Sequence, residues 1–110
     1  MIKSVNTVSV DGTCLQGYIS VSYKKLVQTF GQPEEGDGYK VDAEWLIEFD
    51  DGTVATVYNW KNGKNYCGSS GSSVSQITNW NVGGKSKAAV DKVCQVLGVK
   101  ADSPYSLFSF

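Results

Sequence analysis

Two runs of alternating side chains on either side of Asp50-Asp51-Gly52 limit what this chain can become. In 43–49, Trp45, Ile47 and Phe49 alternate with Glu44, Leu46 and Glu48. In 53–59, Val54, Thr56 and Tyr58 alternate with Ala55, Val57 and Asn59. A period of two is that of a half-buried strand. An Asp-Gly step between two such runs is a hairpin turn. An antiparallel hairpin is therefore the fixed centre of the fold.

The remaining elements are read around it. Segments 5–10 and 15–21 read as two further strands joined at Asp11-Gly12. Ser22 is a helix N-cap, and Tyr23, Leu26, Val27 and Phe30 recur at helical spacing before Gly31 and Pro33 end the helix. A loop, 32–40, leads into the hairpin. Asn62-Gly63 is a second turn signal, 65–67 a possible strand start, and Gly68 to Ser73 a Gly/Ser loop flexible by composition. The last strand falls at 77–82, broken by Gly83-Gly84. A second helix at 85–97 carries Ala89, Val90, Val93, Val96 and Leu97 on one stripe, with Gly98 after it. The expected fold is α+β, a mostly antiparallel sheet of about five strands with two helices packed on one face. One domain spans 1–110, with 99–110 a short aromatic tail. Its Tyr105, Leu107, Phe108 and Phe110 are expected to be covered, by this domain or by a second copy.

Composition removes several function classes. The 110-residue chain has a formal net charge of −1 and no histidine. The absence of histidine removes the usual general base, the usual metal ligand and every Ser-His or Cys-His pair. All basic residues are lysines, so the arginine fork that reads guanine is missing, and double-stranded DNA is not an expected partner. Cys14, Cys67 and Cys94 are scattered and form no CxxC, so they read as free thiols rather than a zinc site or a disulfide. No signal peptide or membrane-crossing run is visible, which points to the cytoplasm. No catalytic residue, metal or cofactor is expected.

Three motifs carry ligand chemistry. In Trp80-Asn81-Val82-Gly83-Gly84-Lys85-Ser86, glycines before a helix can expose N–H groups to an anion, with Lys85 and Ser86 assisting. The alternative is a plain strand-to-helix turn capped by Ser86. In Tyr58-Asn59-Trp60-Lys61-Asn62-Gly63-Lys64-Asn65-Tyr66, aromatics can stack on bases, asparagines read polar edges, and lysines hold phosphate. The alternative is a hairpin tip with Trp60 and Tyr66 packed and Lys61 and Lys64 solvated. In Gly36-Asp37-Gly38-Tyr39-Lys40-Val41-Asp42, Asp37 and Asp42 cap turns or accept from ligand hydroxyls beside Tyr39; the alternative is a metal site, for which they make no EF-hand pattern.

The motifs Phe30-Gly31-Gln32-Pro33, Gly36-Asp37-Gly38-Tyr39-Lys40, Asp42-Ala43-Glu44-Trp45, Tyr58-Asn59-Trp60-Lys61, Gly63-Lys64-Asn65-Tyr66 and Trp80-Asn81-Val82-Gly83-Gly84-Lys85 together resemble a group of small, largely uncharacterised bacteriophage proteins. The helix ending in Phe-Gly-x-Pro before a Trp-bearing hairpin is also similar to binding modules of the β-lactamase-inhibitor type. The phage resemblance implies an anti-defence role in the host cytoplasm. A non-enzymatic sponge would sequester a small anionic, nucleotide-like immune signal, commonly as a homo-oligomer. A protein-binding inhibitor would instead block a host defence protein.

Overall fold

The computed structural model describes residues 1–102. The aromatic tail anticipated to be covered, with Tyr105, Leu107, Phe108 and Phe110, lies outside the described residues. The elements run β1 (Ile2–Val5), β2 (Cys14–Ser20), α1 (Tyr23–Phe30), β3 (Glu44–Phe49), β4 (Val54–Tyr58), a short α2 (Lys64–Cys67), β5 (Asn79–Gly84) and α3 (Ala88–Leu97). The five strands form one antiparallel sheet in the order β1-β3-β4-β5-β2. The α+β architecture anticipated from the alternation is present.

The central hairpin forms as read, with Glu44 opposite Tyr58 and Glu48 opposite Val54. Helix α1 also begins and ends as read: Ser22 Oγ accepts from the Lys25 N–H at 3.1 Å. Its buried Leu26 and Phe30 face the sheet, as do Ala89, Val90, Val93, Cys94 and Leu97 of α3. Between α1 and the sheet, Tyr23, Trp45 and Trp80 form an aromatic cluster with centroids 5.5–6.4 Å apart. The indole N–H of Trp45 donates to Gly31 O and that of Trp80 to Val21 O, so both rings are fully spent on the core.

The first two strands are not a hairpin. The turn at Asp11-Gly12 exists, with the Thr13 N–H donating to Val10 O at 3.2 Å. Its flanks, however, pair with different partners, β1 with β3 and β2 with β5, at opposite sheet edges. Asn6 takes a left-handed conformation, and its side chain accepts from the Leu46 N–H, which ends β1 at Val5. Crossing four strand spacings needs roughly 19 Å, which segment 6–13 can reach since eight extended residues span about 26–29 Å. Helices α1 and α3 occupy one face, so this segment crosses the other. Val10 and Thr13 there border the same cleft as Glu44, Thr56 and Tyr58. That cover explains why Thr56, on the face away from the helices, is only 4% exposed.

Segment 65–67 is helical rather than extended, the following Gly/Ser stretch opens with a 3-10 turn at Gly68–Ser70, and a second such turn follows it at Val74–Gln76. Backbone packing drives this. A Cβ on Gly71 would collide with Gly63 O, and Ser72 N–H donates to Asn62 O at 3.0 Å. Among the described residues no helix is long and apolar enough to cross a membrane.

Candidate functional site

The structure brings two of the three motifs together. Loop 36–42 and segment 59–66 meet at the end of the central hairpin, and one buried side chain joins them. Asn59 is fully buried. Its Oδ1 accepts from the Asp42 and Ala43 N–H groups at 2.7 and 3.0 Å, and its Nδ2 donates to Asp42 Oδ1 and Asn62 Oδ1 at 2.9 and 3.0 Å. Asp42 Oδ2 accepts in turn from the Asn65 N–H, and the Lys61 N–H donates to Lys40 O. A Cβ on Gly63 would run into the Asp42 carboxylate, so the glycine is needed for this close approach. Every polar atom of Asn59 is used, as a buried amide requires.

This scaffold displays a ring of alternating aromatic and cationic side chains. The Lys40 ammonium lies 5.6 Å from the Tyr39 centroid and 5.5 Å from that of Trp60. The Lys61 ammonium lies 5.6 Å from Trp60 and 5.5 Å from Tyr66. Tyr39 and Tyr66 close the circuit at 5.3 Å, and Tyr58 meets Trp60 edge-on at 6.4 Å. Trp60 is 45% exposed, and Tyr39 and Tyr66 are comparably open. Among the described residues the lysine side-chain ion pairs are Lys3–Glu48 and Lys92–Asp51; Lys40 and Lys61 rest on rings instead.

The neighbouring carboxylates keep their charge, and that of Asp37 is felt by Lys40. Asp37 Oδ1 accepts from the Tyr39, Lys40 and Val41 N–H groups at 2.9–3.0 Å, which holds its carboxyl below the usual range. Asp37 therefore shapes the turn that presents Tyr39 and Lys40. Burial, then the charges of Asp37 and Glu34, push the Glu44 carboxyl up. Lys64 faces a separate cleft with Glu35, Asp42 and Asn65. Among the described residues no group of three or more His, Cys, Asp or Glu is placed to hold a metal ion.

The third motif is corrected by the structure. Gly83 and Gly84 do not form a loop before a helix; they continue β5, buried between β4 and β2. A Cβ on Gly83 would lie 2.5 Å from Thr56 Oγ1, and one on Gly84 would overlap Ala89 Cβ. Gly84 serves close packing of α3 on the sheet, Gly83 makes room for Thr56 on the opposite face, and neither stands in a loop before a helix. Helix α3 starts at Ala88, not Lys85, and its first N–H groups are already bonded. Ala88 N–H donates to Ser86 Oγ at 3.3 Å, Ala89 N–H to Ser86 O, and Val90 N–H to Lys87 O. Trp80, 1% exposed, cannot stack on a ligand, and Lys85 and Ser86 belong to the exposed turn before α3. Trp60, Lys61, Tyr66 and Tyr39 thus stand together, supported by Asp37. Trp80, Gly83, Gly84, Lys85 and Ser86 stand apart.

Sequence reasoning missed Lys40, Tyr18, Asn79 and Asn81 as site residues. The last three lie on the sheet face away from the helices, one residue out of phase with buried Ile19, Trp80 and Val82. Strand alternation carried that signal. No family model, no curated protein and no solved structure matches the chain.

Proposed function

We propose that this chain binds a small planar anionic ligand, of the nucleotide class, without turning it over. The observation that carries the reading is the seating of Lys40 and Lys61 on Trp60, Tyr39 and Tyr66, with neither lysine in ion-pair contact with a carboxylate among the described residues. A lysine paired with a carboxylate has its charge neutralised. A lysine on an aromatic face keeps its charge and gains only about 0.5–1 kcal/mol at an exposed site. Such lysines remain available to phosphate as point charges, and the same rings offer stacking worth about 1–3 kcal/mol per base. In the setting implied by the resemblance to phage anti-defence proteins, the ligand is a nucleotide-derived immune signal and binding sequesters it in the host cytoplasm.

Native mass spectrometry of protein purified from cells with active nucleotide signalling tests this. A retained small ligand, lost in Lys61→Glu and in Trp60→Ala with the circular dichroism unchanged, is the expected result. Bare protein mass in every preparation, with biological activity intact in Lys61→Glu, would refute it. Exposed Leu15, Tyr18 and Trp60, on the part of the helix-free sheet face that segment 6–13 leaves open, favour the second reading, an inhibitor that blocks a host defence protein through that face.

A further inference from the structure

The sheet face beside the lysine ring holds a cleft of different chemistry. Its floor follows from strand register. Tyr58 on β4 pairs with Asn81 on β5, which pairs with Tyr18 on β2, so these three form one row on the face away from the helices. Asn79 lies two residues along β5 on the same side. Leu15 and Asn62 complete the border, and Trp60 is the wall shared with the lysine ring. The cleft measures about 600 Å³, within the range of small-molecule sites, about 300–1,000 Å³. None of its lining side chains is charged. Tyr58 is neutral near pH 7, because burial pushes its phenol above an already high value.

Resting on the reading proposed above, we infer that this cleft receives the uncharged half, base and sugar, of a nucleotide whose phosphate sits on Lys40 and Lys61. Asn62 Oδ1 already accepts from Asn59, but its amide donor, the Asn79 and Asn81 carboxamides and the two phenols offer both donors and acceptors, which suits the mixed edge of a base and the hydroxyls of a sugar. Half-exposed Tyr18 and Trp60 give planar apolar surface for stacking. A phosphate placed here would meet no lining cation, whereas the Lys40 and Lys61 ammonium groups lie 5.5 and 5.6 Å from the centre of the Trp60 ring. An uncharged hydrogen-bonding cleft that shares an aromatic wall with a cationic ring is complementary to a ligand with those same two halves.

Calorimetric titrations with AMP, GMP, CMP, UMP, ribose 5-phosphate, pyrophosphate and the unphosphorylated nucleosides separate this inference from the reading it rests on. At least one monophosphate should bind about tenfold or more tighter than ribose 5-phosphate and pyrophosphate, as expected for one base stack plus one directed hydrogen bond. Tyr18→Ala and Asn81→Ala should each remove most of that preference and leave pyrophosphate binding unchanged. Tyr18 is exposed, so its variant keeps the fold even where Asn81→Ala does not. If the best monophosphate binds no tighter than pyrophosphate, or both variants retain the preference, this inference fails and the lysine site stands. If nucleosides bind as tightly as their monophosphates, the cleft stands and the lysine reading fails. Silence from every probe overturns both.

Discussion

Replacing Asn59 with alanine should do more damage than any other single change near the site. The side chain makes four hydrogen bonds in a fully buried position. Alanine leaves the Ala43 N–H without a partner in a dry environment, at a cost of about 1–3 kcal/mol. The Asp42 N–H and carboxylate lose partners too, but they are half-buried and water reaches them more cheaply. The total is roughly 2–4 kcal/mol, out of the 5–15 kcal/mol typical of a domain. At this size that lowers Tm by about 8–16 °C. Urea unfolding of Asn59→Ala supplies the measurement, with Asn59→Asp as the control. Aspartate keeps both acceptor bonds but sets a second carboxylate against Asp42, so Asn59→Asp should recover toward wild type as pH falls and either carboxyl protonates. Because Asn59 ties loop 36–42 to segment 59–66, Asn59→Ala should also weaken ligand binding in protein that remains folded. A loss below about 0.5 kcal/mol, the scale of an ordinary surface change, would refute the assignment of Asn59 as the organiser of the site.

Other consequences are equally direct. Gly84→Ala should destabilise by about 1–3 kcal/mol through overlap with Ala89. Ala89→Gly in the same chain should recover part of that loss, ligand affinity should not change, and a neutral Gly84→Ala would contradict the packing role. Glu44 titrates higher folded than unfolded, so the folded state binds this proton more tightly and its contribution to stability falls as pH rises from 4.5 through the raised value. Glu44→Gln should therefore raise the urea midpoint at pH 7, with the gain shrinking toward pH 4; an equal gain at both would contradict the assignment. Cys14 and Cys67 are exposed, whereas Cys94 is buried with its thiol pushed up by burial. A native thiol titration should show two fast groups and a third only on denaturation, and three fast groups would place Cys94 wrongly.

Patterns of local period were readable in the chain; pairings over distance were not. The hairpin at Glu44–Phe49 and Val54–Tyr58 and the helix at Tyr23–Phe30 follow from alternation, turn chemistry and a serine cap, and all three formed. Ile2–Val5 and Cys14–Ser20 lie close in sequence with a good turn between them, yet nothing local says that Asn6 will fasten to Leu46 and send β2 to the opposite edge. Gly83 and Gly84 mislead for a related reason. A glycine pair before a helix reads as a breaker until Ala89 is known to need the space at Gly84 and Thr56 that at Gly83. At the site, interleaved lysines and aromatics were visible in 58–66, whereas the closing of the ring by Tyr39 and Lys40 depends on Asn59 reaching across to Asp42 and Ala43.

The central claim places the anion at the Lys40–Trp60–Lys61 ring and not at the start of α3. Amide and indole NMR spectra during a pyrophosphate titration test it most directly. Trp45 and Trp80 have buried indoles bonded to Gly31 O and Val21 O, so Trp60 alone offers an open indole reporter. Saturable shifts at the Trp60 indole and at the amides of Tyr39, Lys40, Lys61 and Tyr66, lost in Lys61→Glu, are the predicted result. Shifts confined to Lys85, Ser86 and Ala88, or shifts at the ring that survive Lys61→Glu, would contradict it.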